Sequence, residues 1–301
     1  MLYINKMTNK TFPTWIKVKA PISQEFLEIQ QMAKNLCLET VCQSASCPNI
    51  AECWKNRHAT FMIMGNICTR RCRFCNVPFG KPLPLDPDEP RKVALAVKQL
   101  GLKHAVITCV TRDDLPDQGA QHFANTIHEI RKICPTTTIE VLTSDFIKQP
   151  EALNIVISAQ PDVFNYNIET VRRLHKRIKL GSDYDNGLSL LKRAKQLNNN
   201  IFTKSGIIAG MGETDDEILQ TMDDLRACNV DFLTIGQYLK PKDNDKRYID
   251  VDRFISPEQF EKYKTIGLEK GFLLVASSPL TRSSYHADKE FEKLRLKRIA
   301  D

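Results

Sequence analysis

The chain has 301 residues, of which 42% are hydrophobic and 26% charged, and its formal net charge is +7 at pH 7. These values are typical of a globular protein, and the length suits one large domain or two small ones. Basic and acidic residues are interspersed, which argues against the dense basic run of a nucleic-acid-binding surface.

The N-terminal residues 1–21 contain neither the apolar core nor the cleavage site of a signal peptide. No later stretch approaches the ~18 consecutive apolar residues of a membrane span. We therefore expect a cytoplasmic protein with no membrane and no nucleic-acid partner. Thiols stay reduced in the cytosol, so the ten cysteines favour metal or redox chemistry over disulfides.

Seven of the ten cysteines lie between Cys37 and Cys75. Two groups stand out: Cys42, Cys47 and Cys53 with C-x4-C-x5-C spacing, and a C-x3-C-x2-C group at residues 68–75. The isolated cysteines are predicted to be small buried core residues, namely Cys37, Cys109, Cys134 and Cys228. The six histidines show no metal-binding spacing and are predicted to be structural or exposed.

From residue 60 onwards, short apolar runs alternate with helical patterns. The runs predict strands at residues 60–64, 104–110, 138–143, 162–168, 201–208 and 231–238. Between them, apolar residues recur with helical spacing, for example at Val93, Val97 and Leu100, at Ala120, Phe123, Ile127, Ile130 and Cys134, and at Ile218, Met222 and Leu225. Acidic residues precede two of these helices, as helix N-termini favour.

Strands that are each followed by a helix predict a parallel sheet with right-handed crossovers. Six such units fall short of the eight of a closed barrel. The predicted fold class is therefore α/β, a partial (βα)6 barrel over residues 60–275, and a doubly wound sheet is the alternative. Residues 1–59 form a predicted N-terminal extension and residues 276–301 a C-terminal one, whose charged tail predicts a surface helix.

Active sites of such sheets lie beyond the C-terminal ends of the strands. Cys68, Cys72 and Cys75 directly follow the first predicted strand, so their loop lies at that end. A structural zinc site needs four ligands, and no fourth Cys or His is close in sequence. A four-iron cluster held by three thiolates explains the spacing better, because its fourth iron stays open for a small molecule.

The C-x3-C-x2-C group, with Phe74 before its last cysteine, resembles the radical S-adenosylmethionine superfamily. The resemblance implies a [4Fe-4S] cluster on Cys68, Cys72 and Cys75, which binds S-adenosylmethionine and cleaves it to generate a radical. Candidate contacts of S-adenosylmethionine are Phe74 in the cysteine loop, Asn167 and Glu169 at the end of the fourth predicted strand, and Lys204 after the start of the fifth.

The upstream cysteines and "RSSYHAD" at residues 282–288 narrow the resemblance to the lipoyl synthase family. Further matches are "RDDLPD" at 112–117, "NIETV" at 167–171, "TKSG" at 203–206, "GETDDE" at 212–217 and "GQYLKP" at 236–241. The resemblance implies a second [4Fe-4S] cluster on Cys42, Cys47 and Cys53, with Ser284 as its fourth ligand and Ser283 as the alternative. In that family the second cluster donates sulfur to an octanoyl group.

The same resemblance implies several partners. They are octanoylated lipoyl carrier domains, found in the acyltransferase subunits of 2-oxoacid dehydrogenases and in the glycine cleavage H protein, an electron donor such as ferredoxin or flavodoxin, and an iron–sulfur carrier for cluster repair. Two other functions remain open from the sequence. One is a radical methylthiotransferase acting on RNA, which also carries two clusters but would need a basic RNA-binding domain. The other is a zinc-stabilised binding module.

Overall fold

The computed structural model describes residues 12–300 and shows one eight-stranded sheet wrapped by helices. In chain order the strands are β1 (Glu39–Thr40), β2 (Thr60–Ile63), β3 (His104–Cys109), β4 (Thr138–Leu142), β5 (Val163–Asn165), β6 (Phe202–Ala209), β7 (Phe232–Gln237) and β8 (Leu274–Ser277). They lie side by side in sequence order, and β1 alone is antiparallel to its neighbour among these strands.

Helices connect the parallel strands on the outside of the sheet, and further helices precede β2 and follow β8. In chain order they are α1 (Gln24–Asn35), α2 (Val41–Ser44), α3 (Ile50–Lys55), α4 (Glu89–Leu100), α5 (Ala120–Ile133), α6 (Pro150–Ser158), α7 (Arg172–Ile178), α8 (Tyr184–Leu197), α9 (Asp215–Arg226), α10 (Pro257–Glu269) and α11 (Ala287–Ala300). Sequential parallel strands with helical crossovers wind in one direction, which makes a barrel. Within residues 12–300 the edge strands β1 and β8 do not pair, so the barrel is open. The predicted fold class is confirmed.

The predicted helical faces are the faces that pack on the sheet. Val93, Val97 and Leu100 of α4 are buried, as are the apolar residues predicted for α5 and α9, except that Cys134 is only partly buried. Helix α9 begins with a capping box in which Thr214 and Glu217 bond each other's backbone N–H groups. Apolar periodicity and end signals thus placed these helices correctly.

The prediction missed β1 and β8. Strand β1 has only two residues, too few for a periodic pattern, and β8 lies in the apolar run before "RSSYHAD". Strand β8 crosses the predicted boundary at residue 275, so the C-terminal extension continues directly from the sheet. Residues 1–11 of the predicted N-terminal extension and Asp301 lie outside the described residues.

Both extensions pack on the barrel. Met32 of α1 and Trp54 of α3 belong to the same apolar core as the strands. At the other end of the chain, Phe291 and Leu294 of α11 are buried in a second apolar cluster. The cluster also contains the first residues of β5, β6 and β7, which are Val163, Phe202 and Phe232. The tail predicted as a surface helix therefore covers the N-terminal ends of the barrel strands with one face.

Two smaller observations complete the fold. Cys37 is exposed and has a positive φ of 52° after the end of α1, so the prediction that it is buried was wrong. Of the residues described, no helix has the length and apolar character needed to cross a membrane.

Candidate functional site

The first cysteine cavity, defined by Cys68, Cys72 and Cys75, lies at the C-terminal end of β2. It has a volume of about 300 Å³, and the residues that complete its lining are Arg70, Arg71, Val77, Phe79 and Arg247. Burial raises the pKa of the Cys75 thiol to about 11 and that of Cys72 to about 12. The three cysteines predicted to hold one cluster therefore meet around one cavity.

Arg70, which lies between the first two cysteines, is fixed by two carboxylates. Its Nε and Nη2 donate to Asp113 at 2.8 and 2.7 Å, and its Nη1 donates to Asp145 at 2.9 Å. Bidentate pairing of this kind restricts a guanidinium more than a single contact does. Asp113 belongs to "RDDLPD", so this motif helps to hold the loop of Cys68, Cys72 and Cys75 in place.

The start of the loop is held from two further sides. Arg112, which is fully buried, donates through Nη1 to the Met64 carbonyl oxygen at 3.2 Å. The carboxylate of Glu89 accepts from the Met64 N–H at 2.7 Å and contacts Nε2 of His122 at 2.6 Å. Gly119 has a positive φ of 86°, which favours glycine, and a Cβ there would also displace the end of the Met64 side chain. Sequence analysis missed Glu89 and His122, because their 33-residue separation carries no local signal.

The second cysteine cavity, defined by Cys42, Cys47 and Cys53, lies between the N-terminal and C-terminal extensions. Its volume is about 510 Å³, and Ser284, Arg282, Tyr285, His104, His58 and Asp288 are among the residues that line it. Burial raises the pKa of Cys42 to about 11, and it raises the pKa values of Cys47 and Cys53 as well. Segments of the chain that are more than 200 residues apart thus form one thiol-lined cavity.

The two serines of "RSSY" point in different directions. Ser284 lines the second cysteine cavity. The hydroxyl of Ser283 accepts from Nδ2 of Asn165 at 2.7 Å and donates to Oδ1 of Asn167 at 3.1 Å. Of the two serines that the sequence left open, Ser284 is the one beside the thiols.

Contacts between the two extensions close the second cysteine cavity. The hydroxyl of Tyr285 donates to Glu52 at 2.8 Å, and the Asn49 side chain donates to the Leu280 carbonyl oxygen at 2.7 Å. A Cβ at Gly236 would lie 2.0 Å from the Thr281 carbonyl oxygen. The glycine of "GQYLKP" therefore lets the C-terminal segment pass close over β7.

Arg282 lines the second cysteine cavity and lies near enough to Glu169 for the two charges to interact. Burial lowers the pKa of its guanidinium, whereas nearby Cys47 and Glu169 raise it. Its Nη1 donates to the Thr281 carbonyl oxygen at 2.7 Å, and no carboxylate of residues 12–300 forms an ion pair with it. A partly buried guanidinium that forms no ion pair can balance the negative charge of an iron–sulfur cluster, so this position suits a site that takes such a cluster.

Of the four candidate contacts of S-adenosylmethionine, the structure places Asn167 and Glu169 beside the first cysteine cavity. Glu169 is close enough to the thiols to raise the pKa values of Cys72 and Cys75, and its own pKa is raised by burial. Lys179, which was not predicted, donates to the Asn167 carbonyl oxygen at 2.6 Å and lies near Cys72. Asn167, Glu169 and Lys179 therefore form a charged group beside the first cysteine cavity.

The other two candidates lie elsewhere. Nζ of Lys204 is 3.0 Å from both carboxylate oxygens of Glu140, deep in the barrel, and Lys204 is not among the residues that line either cysteine cavity. Phe74 packs against the apolar core. Contact of S-adenosylmethionine with Lys204 stays a prediction, but the structure gives this ammonium another partner.

No three His, Cys, Asp or Glu side chains in the described part of the chain converge closely enough to ligate a single metal ion. A four-iron cluster makes a different demand, because each thiolate binds a separate iron at its own corner. The donor sets of the two cavities, three thiols in the first and three thiols with a hydroxyl in the second, match that demand.

Comparison with known proteins places residues 62–225 in the family described as the Radical SAM superfamily. Similar solved structures include methylornithine synthase (PylB), which is 14% identical with a TM-score of 0.51, and the match covers 90% of this chain and 92% of that one. Streptococcus suis SuiB bound to S-adenosylmethionine is 12% identical with a TM-score of 0.53 over 82% of this chain and 53% of that one. The methyltransferase TsrM from Kitasatospora setae, with cobalamin and a [4Fe-4S] cluster bound, is 13% identical with a TM-score of 0.51 over 80% and 61%. At these identities the likeness shows the fold.

Proposed function

The chain belongs to the radical S-adenosylmethionine superfamily of enzymes, and we propose that within it the chain acts as a lipoyl synthase. The reaction would insert two sulfur atoms, at C6 and C8 of an octanoyl group carried on a lysine of a lipoyl carrier domain. The observation that carries the proposal is the second cysteine cavity, where Cys42, Cys47 and Cys53 face Ser284 of the "RSSY" motif.

The substrate explains why such a protein needs radical chemistry. An alkyl carbon of an octanoyl chain has no group that would stabilise a carbanion, so a side-chain base cannot remove its hydrogen. When bound at Cys68, Cys72 and Cys75, a [4Fe-4S] cluster with S-adenosylmethionine supplies the means to abstract that hydrogen atom. Lys179 and Glu169, beside the first cysteine cavity, would offer one positive and one negative group to the carboxylate and amino groups of S-adenosylmethionine.

The second cluster would be the sulfur substrate, held by Cys42, Cys47, Cys53 and Ser284. Buried thiols with raised pKa values must lose protons when they bind iron, so loading of this site releases protons. A serine oxygen is a harder ligand than a thiolate and matches iron–sulfur chemistry less well. A weaker fourth ligand suits a cluster that gives up its sulfur.

The test uses anaerobic protein whose clusters are rebuilt with heavy sulfide. It is mixed with S-adenosylmethionine, a reductant and an octanoylated carrier domain, and the molecular mass of the carrier is then measured. We expect two heavy sulfur atoms in the product and two molecules of S-adenosylmethionine cleaved for each lipoyl group, because two carbons each lose a hydrogen. Light sulfur in the product would refute the second cluster as donor, and an unchanged carrier would refute the function.

Two alternatives predict other results. A radical methylthiotransferase would modify RNA and leave the carrier unchanged. A zinc-stabilised module would be colourless, whereas an iron–sulfur protein purified without air is brown. Ferredoxin or flavodoxin as electron donor, an iron–sulfur carrier for repair and a cytoplasmic location belong to the proposed function.

A further inference from the structure

A buried ion pair crosses the interior of the barrel. Nζ of Lys204 on β6 lies 3.0 Å from both carboxylate oxygens of Glu140 on β4, and the two side chains are 0% and 2% exposed. Burial alone would raise the pKa of Glu140, but Lys204 and His104 lower it to about 2. Glu140 is therefore an ionised carboxylate that can only accept hydrogen bonds.

The Glu140 carboxylate fixes the side chain of Asn165 on β5, the strand between β4 and β6. Nδ2 of Asn165, the last residue of β5, donates to Glu140 at 2.8 Å and to the hydroxyl of Ser283 at 2.7 Å. Because Glu140 accepts only, it requires the NH2 group of Asn165 on this side, and the second hydrogen of that group then points to Ser283. The orientation of Ser283, in the segment after β8, thus depends on a charge on β4, which is four strands away in the sheet.

Ser283 is held as both acceptor and donor. It accepts from Asn165, and its own hydrogen is donated to Oδ1 of Asn167 at 3.1 Å. With Ser283 turned into the barrel, its neighbour Ser284 faces the second cysteine cavity. Glu140, Lys204, Asn165 and Ser283 do not line that cavity. An effect of Asn165 or Ser283 on the cavity must therefore pass through the backbone of the "RSSY" segment, whereas Glu140 also contacts His104, which lines the cavity, at 3.5 Å.

We propose that Glu140, Lys204, Asn165 and Ser283 are positioning residues that hold Ser284 toward the three thiols and thereby set how long the second cluster keeps its iron. The inference rests on the proposed function, in which Ser284 ligates that cluster. It adds that the strength of this ligand is controlled from inside the barrel, by residues that touch neither iron nor substrate.

Iron release from the second site tests this proposal without measuring turnover. In the full-length chain, Cys68, Cys72 and Cys75 are replaced by Ala so that the second cysteine cavity holds all bound iron. After anaerobic reconstitution, the transfer of iron to a chelator is followed by loss of the cluster absorbance. Ser283→Ala and Asn165→Ala should release iron roughly tenfold faster than the parent, as expected from the loss of about one hydrogen bond.

Matched variants separate positioning from general damage. Ser283→Thr keeps the hydroxyl and should restore slow release. Ser278→Ala removes a serine of the same segment that bonds Thr281 at 2.8 Å outside the network, and it should behave as the parent does. Thermal unfolding of each variant checks folding, and if Asn165→Ala does not fold, the Ser283 pair carries the test.

Ser284→Ala distinguishes the two levels of the hypothesis. If it releases iron fast while Ser283→Ala and Asn165→Ala release it as slowly as the parent, the positioning role is refuted. The assignment of Ser284 as a cluster ligand is then retained. If Ser284→Ala releases iron at the parent's rate, the ligand assignment fails and the positioning role fails with it. Fast release in Ser278→Ala as well would reduce the effect to loosening of the whole segment and would also overturn the proposal.

Discussion

At the residue scale, ion pairs determine where the loop of Cys68, Cys72 and Cys75 lies. Arg70 is inserted between two cysteines, yet its guanidinium is only 7% exposed because Asp113 and Asp145 enclose it. A buried arginine needs such partners, since an unpaired charge in the interior is costly. The cysteine loop is therefore tied to the ends of β3 and β4.

Asp145→Asn should loosen the first cysteine loop. The substitution keeps the shape but removes one of the two charges that face Arg70, so we expect a loss of about 2 kcal/mol in unfolding free energy. Iron bound at the first site should also fall. Urea unfolding and iron analysis measure both effects. Asp86→Asn, which breaks the exposed Lys92–Asp86 pair, is the control and should cost less than about 1 kcal/mol; equal effects in the two variants would contradict the interpretation.

A second prediction concerns the identity of the fourth ligand. Ser284→Cys should bind the second cluster more tightly, because thiolate is the softer ligand, and should transfer sulfur poorly. Cleavage of S-adenosylmethionine should be largely spared. Iron retention in the presence of a chelator and the yield of sulfur-containing carrier are the two measurements. A Ser284→Cys protein with both normal retention and normal yield would exclude Ser284 as a ligand.

At the scale of elements, two different kinds of structure carry the cysteines. Cys68, Cys72 and Cys75 lie on one loop after β2, so a single strand end positions them. Cys42 lies on α2, Cys53 on α3 and Cys47 between them, and Ser284 comes from the segment before α11. The first site is local in sequence, whereas the second is completed by two extensions.

The two sites should therefore be separable. Replacing Cys68, Cys72 and Cys75 by Ala should abolish cleavage of S-adenosylmethionine and leave about half of the iron, since a cluster remains at the second site. Replacing Cys42, Cys47 and Cys53 should leave cleavage measurable but prevent sulfur insertion. Iron analysis and quantification of 5′-deoxyadenosine give the comparison. Loss of both clusters from either folded triple variant would refute two independent sites.

At the scale of the whole molecule, buried polar groups limit the acid stability of the fold. His175 on α7 is fully buried, its ring contacts Tyr184 edge-on at 5.6 Å, and neither ring nitrogen has a hydrogen-bond partner in the described residues. Burial, reinforced by the charge of Lys179, lowers its pKa from 6.5 to about 4. The folded protein thus holds this histidine neutral at pH values where the unfolded chain protonates it.

This difference in pKa predicts a loss of stability in mild acid. Above pH 6.5 this histidine is neutral in both the folded and the unfolded chain. As the pH falls from 6.5 towards 4, the unfolded chain binds a proton at this histidine and the folded chain does not. The loss should reach about 2 kcal/mol at pH 5 and about 3 kcal/mol at pH 4. Urea midpoints at pH 7.5 and pH 5 measure it. His175→Leu should flatten the dependence and the exposed His128→Leu should leave it unchanged; an equally steep curve in His175→Leu would contradict this origin.

The sequence by itself determined the order of elements and the local chemistry. Apolar periodicity depends on which face of each strand or helix is buried, so six strands and the helices α4, α5 and α9 were found from the pattern alone. The C-x3-C-x2-C spacing likewise placed three thiols on one loop, because ligands a few residues apart are brought together by local backbone geometry. The two-residue β1 and the apolar β8 were missed, since neither carries a distinctive period.

Only the tertiary structure decided which distant groups meet. It turned Ser284 rather than Ser283 to the thiols, paired Lys204 with Glu140, and enclosed Arg70 between Asp113 and Asp145. These partners are separated by 43 to more than 200 residues, and their orientation depends on the stagger of neighbouring strands and on the packing of both extensions. No local pattern encodes such quantities, because each is set by the burial and charge of side chains from several elements at once.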